Sequence, residues 1–341
     1  MIAHRLEGPE PRLDRFLVTQ HPDVGRARWD AWIREGQVRV NGAPATKGGL
    51  KLKAGDLVEL ELPPVTPPAA DLLPEAMDLP TLFEDAHLWV VDKPSGLVVH
   101  PGPGHPGGTL VNALLGRLQA GDRRLEVGPA HPDGDLQPPG SSPQPEGDDE
   151  VVAWPGLVHR LDRFTTGCIA LGKSLEAQAA LQAQFQGRTV EKRYLALVRH
   201  SPKLPELGSL LVDQPLARHR TERQKMAVVA GGRPSQTRVR VLARTKSTAL
   251  VECELLTGRT HQIRVHLAHL RAPLLGDPLY GGPSRWMATD GAMLDLPHPL
   301  LHAWKLGLHH PLSGEALSLQ APIPVTFREA AARLGLAEGL P

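Results

Sequence analysis

Cysteine is nearly absent from the 341 residues: Cys168 and Cys253 stand 85 positions apart and form no CxxC pair. That spacing supports neither a disulfide framework nor a zinc ribbon, so both thiols read as small apolar fillers. Aromatic residues make up 4% of the chain, and only two of them are tyrosines. No apolar run approaches the roughly 18 to 20 residues needed to cross a bilayer. The opening MIAHRLEGPEP lacks the apolar stretch of a secretory signal, and the chain reads as cytoplasmic, with no membrane partner. An apolar share of 41% and a charged share of 22% exclude disorder throughout and suit two domains or one large one. Glycine and proline stand at 34 each, and loops and linkers must absorb them.

The net charge of +1 hides a strong asymmetry. Residues 63 to 155 carry 4 Lys and Arg against 14 Asp and Glu, whereas residues 156 to 272 carry 20 against 8. A net +12 stretch beside a net −10 stretch points to a polyanion partner; a basic but merely solvated surface is the alternative.

Residues 1 to 62 read as a small α/β unit. Leu13, Phe16 and Leu17 have helical spacing, and a second helix through Arg28 to Ile33 can stop at Gly36. Gln37 to Val40 alternates into an Asn41-Gly42 turn, and Gly55-Asp56 opens a further strand to Leu62. Residues 63 to 80 hold six prolines and suit a stiff connector. The second domain, 81 to 326, begins with a strand at His87 to Asp92, a turn at Lys93 to Gly96, a strand at Leu97 to His100 and a helix from Thr109 to Gln119. Residues 120 to 155 lose all pattern and read as a mobile acidic insertion. Beyond it the spacing predicts a strand at Gly167 to Gly172, a helix capped by Ser174, a strand at Lys192 to Arg199, paired strands at 236–242 and 248–256, and a helix at Gln262 to Leu270. Residues 327 to 341 are taken as a tail. Strands without strict βαβ alternation make the fold class α+β with a mixed, mainly antiparallel sheet.

Two patterns mislead. Gly102-Pro-Gly104-His-Pro-Gly107 matches GxGxxG, but its prolines remove the backbone donors a pyrophosphate needs. His261, His266 and His269 have offsets that bring at most the last two onto one helical face, with no carboxylate to complete a metal set. Three other segments carry more. In His159-Arg-Leu-Asp162-Arg-Phe-Thr-Thr-Gly167 a carboxylate lies between Arg160 and Arg163, where cations favour its ionised form for nucleophilic or base chemistry; an ordinary ion pair has the same spacing. Lys192-Arg193-Tyr194 sets a ring among cations, able to stack on a base or simply to fill a core. Gly258-Arg259-Thr260-His261-Gln262-Ile263-Arg264 is a donor-rich turn entering a helix, also compatible with plain phosphate binding.

Together these segments resemble the signature regions of the RluA-type pseudouridine synthases, as do Lys93 to Pro101 and Leu301-His302-Ala303, so the resemblance runs from about 82 to 325. Residues 12 to 62 separately resemble the small RNA-binding domain named for ribosomal small-subunit protein four, through Arg12 to Leu17, Gly36 to Gly42 and Gly55-Asp56. The resemblance implies isomerisation of uridine in RNA, most often 23S-type large-subunit ribosomal RNA, without metal, cofactor or obligate protein partner. It makes Asp162 the essential carboxylate, Tyr194 the ring on the uracil and Arg264 the partner of Asp162. RNA contacts are then expected from Arg160, Arg163, Lys192, Arg193, Arg259, His261 and Gln262, with Arg12, Arg15, Arg28 and Arg39 in the N-terminal domain. The chain departs from the pattern at Phe164, where many members have a polar or small residue, at Gly172, and at Gly25-Arg-Ala-Arg28, which lacks the usual serine. A catalytically idle ribosome-assembly factor is the competing reading, and a base-releasing hydrolase would need a second placed carboxylate.

Overall fold

A computed structural model of the chain describes residues 2–6, 12–20, 29, 32–60, 72–102, 105–120, 156–206, 208–222 and 224–341. These fall into two compact units, Met1–Ala70 and Asp71–Pro341. Of the second helix expected from Arg28 to Ile33, residues 29, 32 and 33 are helical and the others lie outside the described residues; of the insertion expected at 120 to 155, Ala120 ends a helix and the remainder lies outside the described residues.

In the first unit, β1 (Ile2–Arg5), β2 (Val38–Val40), β3 (Ala43–Pro44) and β4 (Leu57–Leu60) form a four-stranded antiparallel sheet, in the order β1-β4-β2-β3, accompanied by α1 (Leu13–Gln20) and by helical residues at Trp29 and 32–34. Leu13, Phe16 and Leu17 bury one stripe of α1 against Trp29, Trp32, Ile33, Leu52, Val58 and Leu60. Asn41 and Gly42 both take positive φ, which turns β2 into β3, and the Asn41 side chain donates to Asp56 and accepts from the Leu57 amide. Strand β1 was not legible, because four residues carry too short an alternation; β4 supplies its hydrogen bonds.

The second unit runs β5 (Thr81–Glu84), β6 (Leu88–Lys93), α2 (Leu110–Ala120), β7 (Thr166–Gly172), α3 (Leu175–Gln186), β8 (Glu191–Arg199), β9 (Gly208–Asp213), β10 (Leu216–Arg218), β11 (Met226–Val228), β12 (Gln236–Arg244), β13 (Thr248–Leu255), α4 (Gln262–His269), β14 (Arg285–Met287), β15 (Met293–Asp295), β16 (Leu301–His309), β17 (Ala316–Gln320) and α5 (Val325–Arg333). Nine of its strands make one sheet, ordered β5-β6-β7-β16-β8-β13-β12-β9 with β17 beside β16. The class is α+β, and among the described residues the β7–β16 pair alone is parallel. Both faces of the sheet are covered, so the central strands carry continuous buried runs, such as Tyr194 to Val198 of β8 and Cys168 to Leu171 of β7. Trp89, Val91, Ile169, Leu171, Tyr194, Ala196 and Val198 meet α2 and α4 on one face. Leu195, Leu197 and Trp304 meet α5 on the other, and Leu88, Val90, Cys168 and Ala170 meet Leu181 of α3. Both cysteines are buried, and burial pushes the Cys168 thiol up to about 12.

Three expectations need correction. Residues 327 to 341 are no tail: Phe327, Ala330, Ala331, Leu334 and Leu336 sit in the core beneath β8 and β16. The last part of the proline-rich connector is fixed to the second unit, with Leu79 buried, the Glu75 amide donating to Asn112 O and Asn112 Nδ2 donating to Leu73 O. Leu97 to His100 makes a single bridge, Val98 to Thr109, instead of a strand.

The parallel pair demands a glycine. At Gly167 φ is +105°, and a Cβ would lie 2.2 Å from the Ala303 carbonyl oxygen of β16. Gly167→Ala must therefore strain the backbone or part the two strands, at a cost of about 2 to 5 kcal/mol. Urea unfolding checks this; a midpoint unchanged from the wild type would overturn it.

Candidate active site

The parallel pairing of β7 with β16 fixes where the preceding loop, residues 159 to 165, comes to lie. His159 Nε2 accepts from the Ala170 amide at 2.9 Å and its ring stacks on Phe185; burial and the nearby Lys192 ammonium keep the imidazole neutral. Thr165 N donates to Asp162 O, closing a turn, and Thr166 Oγ1 hydrogen-bonds His302 Nδ1 at 2.8 Å, with His302 held at about 4 by burial. The loop is thus held at both ends.

A fully buried lysine holds its middle. Lys93, the last residue of β6, donates from Nζ to the carbonyl oxygens of Pro94, Leu97 and Arg163, each at 2.9 Å. Burial pushes this ammonium down to about 7, while the Asp162 carboxylate pulls it the other way. Lys93→Met leaves three carbonyls without their donor, at about 2 to 4 kcal/mol. The folded value lies below the free value of 10.5, so between them the unfolded chain binds more protons and wild-type stability rises with pH. From pH 7 to 9.5 the wild-type advantage over Lys93→Met should widen by on the order of 1 to 3 kcal/mol. Guanidinium melts at both pH values check it, and parallel curves would refute it.

Asp162 lies where two cavities meet, of about 470 and 840 Å³, and it lines both. Its Oδ2 accepts from Arg264 Nη1 at 3.0 Å, and its Oδ1 is 3.8 Å from His261 Nε2. Arg264 enters from α4, near the helix start, where His261 adopts a left-handed conformation at φ 57°. The other edge of the guanidinium forks onto Asp277, with Nε to Oδ2 at 2.7 Å and Nη2 to Oδ1 at 2.8 Å. Tyr280 lies under Arg264, ring centroid 4.9 Å from the guanidinium carbon, and its hydroxyl meets His261 Nδ1 at 2.7 Å while accepting from the Met226 amide at 2.9 Å. One arginine thereby spans two carboxylates, and Asp162 alone of the two is partly exposed, at 26% against 1% for Asp277. The arrangement presents a single carboxylate, fixed in direction, to whatever occupies the cavities.

Tyr194 stands in the wall of the larger cavity with Lys192, on the same face of β8. Burial, with the Asp162 carboxylate nearby, pushes its phenol well up, so the ring is a neutral apolar surface. Arg160 and Arg163 are exposed; Arg160 lines both cavities, while Arg163 Nε donates to Gly96 O at 3.2 Å. Arg259 and His261 line the larger cavity.

Other expected contacts are engaged within the protein. Arg193 points to the opposite face of β8, paired with Glu191 and Glu252, because successive strand residues alternate. Gln262 is buried and its amide is spent: Oε1 accepts from Thr257 Oγ1 and the Arg259 amide, and Nε2 donates to Gln236 O and Thr237 Oγ1. It lines the larger cavity and, with both amide atoms engaged, holds the turn before α4. His266 is likewise buried between Thr237 and Gln214. In the first unit, Arg12 forks onto the buried Asp14, Arg15 and Arg39 are exposed, and Arg28 lies outside the described residues. Sequence reasoning missed Asp277, Tyr280 and Lys93. The available signals were a carboxylate in the turn Gly276-Asp277-Pro278 and the second of only two tyrosines.

Comparison with known proteins follows the same division. A family model described as RNA pseudouridylate synthase matches residues 87–269, and one described as S4 domain matches residues 11–58. The ribosomal large subunit pseudouridine synthase D of Nitrosomonas europaea is 41% identical over 313 residues, 92% of this chain and 81% of that protein. A protein of the same name from Xanthomonas campestris is 38% identical over 324 residues, 92% and 86% of the two chains. The solved structure of human RNA Pseudouridylate Synthase Domain Containing 4 superposes with a TM-score of 0.54 at 28% identity, covering 75% of this chain and 93% of that one.

Proposed function

Because the chain belongs to the RNA pseudouridylate synthase family and carries an S4 domain, we propose that it isomerises specific uridines of large-subunit ribosomal RNA to pseudouridine, with Asp162 as the carboxylate on which turnover depends. Members of the family are isomerases, and relatives at about 40% identity are named for the large ribosomal subunit. The observation that carries the role of Asp162 is its position: a carboxylate at the junction of two cavities, held at 3.0 Å by an arginine whose other edge is fixed to a buried aspartate.

The reaction breaks the bond between uracil N1 and ribose C1′, turns the base, joins its C5 to C1′ and releases the hydrogen of C5 as a proton. The freed N1 takes up a proton from solvent in exchange, so the product is an isomer of the substrate. An ionised carboxylate beside the nucleotide serves attack on the sugar, attack on the base or removal of a sugar proton alike. A uridine in folded RNA must first be extruded, at a few kcal/mol, and stacking on Tyr194 with phosphate contacts from Arg160, Lys192 and Arg259 offsets that cost. The exposed Arg15 and Arg39 of the N-terminal unit add affinity through effective concentration.

The test is tritium release from unmodified large-subunit ribosomal RNA labelled at uracil C5. Release by the wild-type protein is expected; folded protein that binds this RNA and releases nothing would sink the reading in favour of an idle assembly factor.

A further inference from the structure

We propose that Phe164 and His298 form a stacking platform for the nucleobase that neighbours the target uridine, an inference that rests on the RNA reading above. The two rings lie parallel, centroids 3.8 Å apart and planes 8° from each other, on the wall of the 470 Å³ cavity that also holds Asp162 and Arg264. Phe164 is half-buried and His298 is exposed, so the imidazole is the solvent-accessible member of the stack. An exposed aromatic pair in the wall of a cavity adds little to a core. It is, however, a surface on which any base can lie.

The platform is tied to the two segments that carry the carboxylates: Phe164 belongs to one and His298 abuts the other. Phe164 follows Asp162 by two residues, and its carbonyl oxygen accepts from Ser95 Oγ at 3.4 Å. Arg163, with its Nε bound to Gly96 O, lies over the Phe164 ring at 5.2 Å. His298 stands between Pro297 and Pro299, whose rings restrict the backbone on either side. Its carbonyl oxygen presses on Gly276, where φ is +79° and a Cβ would lie 2.0 Å away, and Gly276 precedes Asp277. The distance from the platform to the Asp162–Arg264–Asp277 group is therefore fixed from both sides. Extruding a uridine leaves its neighbours without a stacking partner, and a rigid aromatic surface beside the cavity replaces what is lost.

His298 is the residue to change, because substitutions of Phe164 also disturb the Asp162 loop. Wild type, His298→Ala and His298→Trp are compared on tritiated large-subunit RNA transcripts for KM and kcat, and on short fragments of the same RNA by fluorescence anisotropy. His298→Ala should raise KM about tenfold with kcat within about twofold, and His298→Trp should restore it. The binding ratio of wild type to His298→Ala should also be about tenfold, and should collapse to one on a fragment abasic at one of the two neighbours of the target. Anisotropy does not depend on turnover, so failure of the isomerase reading leaves this outcome readable. Equal isotherms for wild type and His298→Ala on the intact fragment, or a tenfold loss that persists on both abasic fragments, would overturn the platform.

Discussion

Asp162→Asn should lower tritium release by about 10³-fold or more, equivalent to about 4 kcal/mol of barrier, while the protein folds and binds RNA as before. The substitution keeps the shape of the side chain and removes its charge. Folding is insulated because Asp162 is partly exposed and because Arg264 retains its two bonds to Asp277. RNA affinity is insulated because it rests on phosphate contacts, and removing one negative charge from the cavity shifts it by about threefold at most. On the proposed function, only turnover requires the carboxylate. Side-by-side melting, filter binding and tritium release test all three statements, and a variant keeping a tenth of wild-type release would remove Asp162 from the reaction. Unchanged melting and binding with lost turnover also excludes the assembly-factor reading, in which the binding itself is the function.

The parts of this site that were legible in the sequence are those with local signals. The loop 159–167 ends in a glycine that the β7–β16 pair demands, and the turn 257–262 runs into a helix; both have composition that a linear reading detects. The helix capped by Ser174 announced itself through a side chain accepting from the Ala177 amide. What stayed hidden depends on burial, which spacing does not encode. Lys93 reads as an ordinary turn residue until three carbonyls surround it, and Asp277 reads as a surface acid until Arg264 arrives from 13 residues earlier. The surroundings of Arg193 and Gln262 were hidden for the same reason. Both have the right chemistry for RNA, but strand alternation turns Arg193 to the far face and four internal hydrogen bonds consume the Gln262 amide. The C-terminal helix was missed because its apolar stripe, Phe327, Ala330, Ala331 and Leu334, is made half of alanine, which carries little pattern until it packs.

The dual engagement of Arg264 allows its structural and functional parts to be separated. Arg264→Met leaves the Asp277 carboxylate, 1% exposed, without its cation. Breaking one side of a buried pair costs about 3 to 5 kcal/mol, which in a unit of this size lowers the melting temperature by roughly 6 to 15 °C. A lysine cannot substitute, since one ammonium cannot fork onto Asp277 and reach Asp162 together. Removing the stranded carboxylate as well, in Arg264→Met with Asp277→Leu, replaces the pair by apolar groups of similar volume, a change that is often neutral. The double variant should therefore recover most of the lost melting temperature. Its turnover should stay down by about 100-fold or more, because Asp162 has lost the donor at 3.0 Å that fixes its direction toward the cavity. Calorimetry and tritium release on the single and double variants read the two quantities apart. If stability and turnover return together, Arg264 serves the fold alone, and the orientation of Asp162 is set by the loop that Lys93 and Thr166 hold.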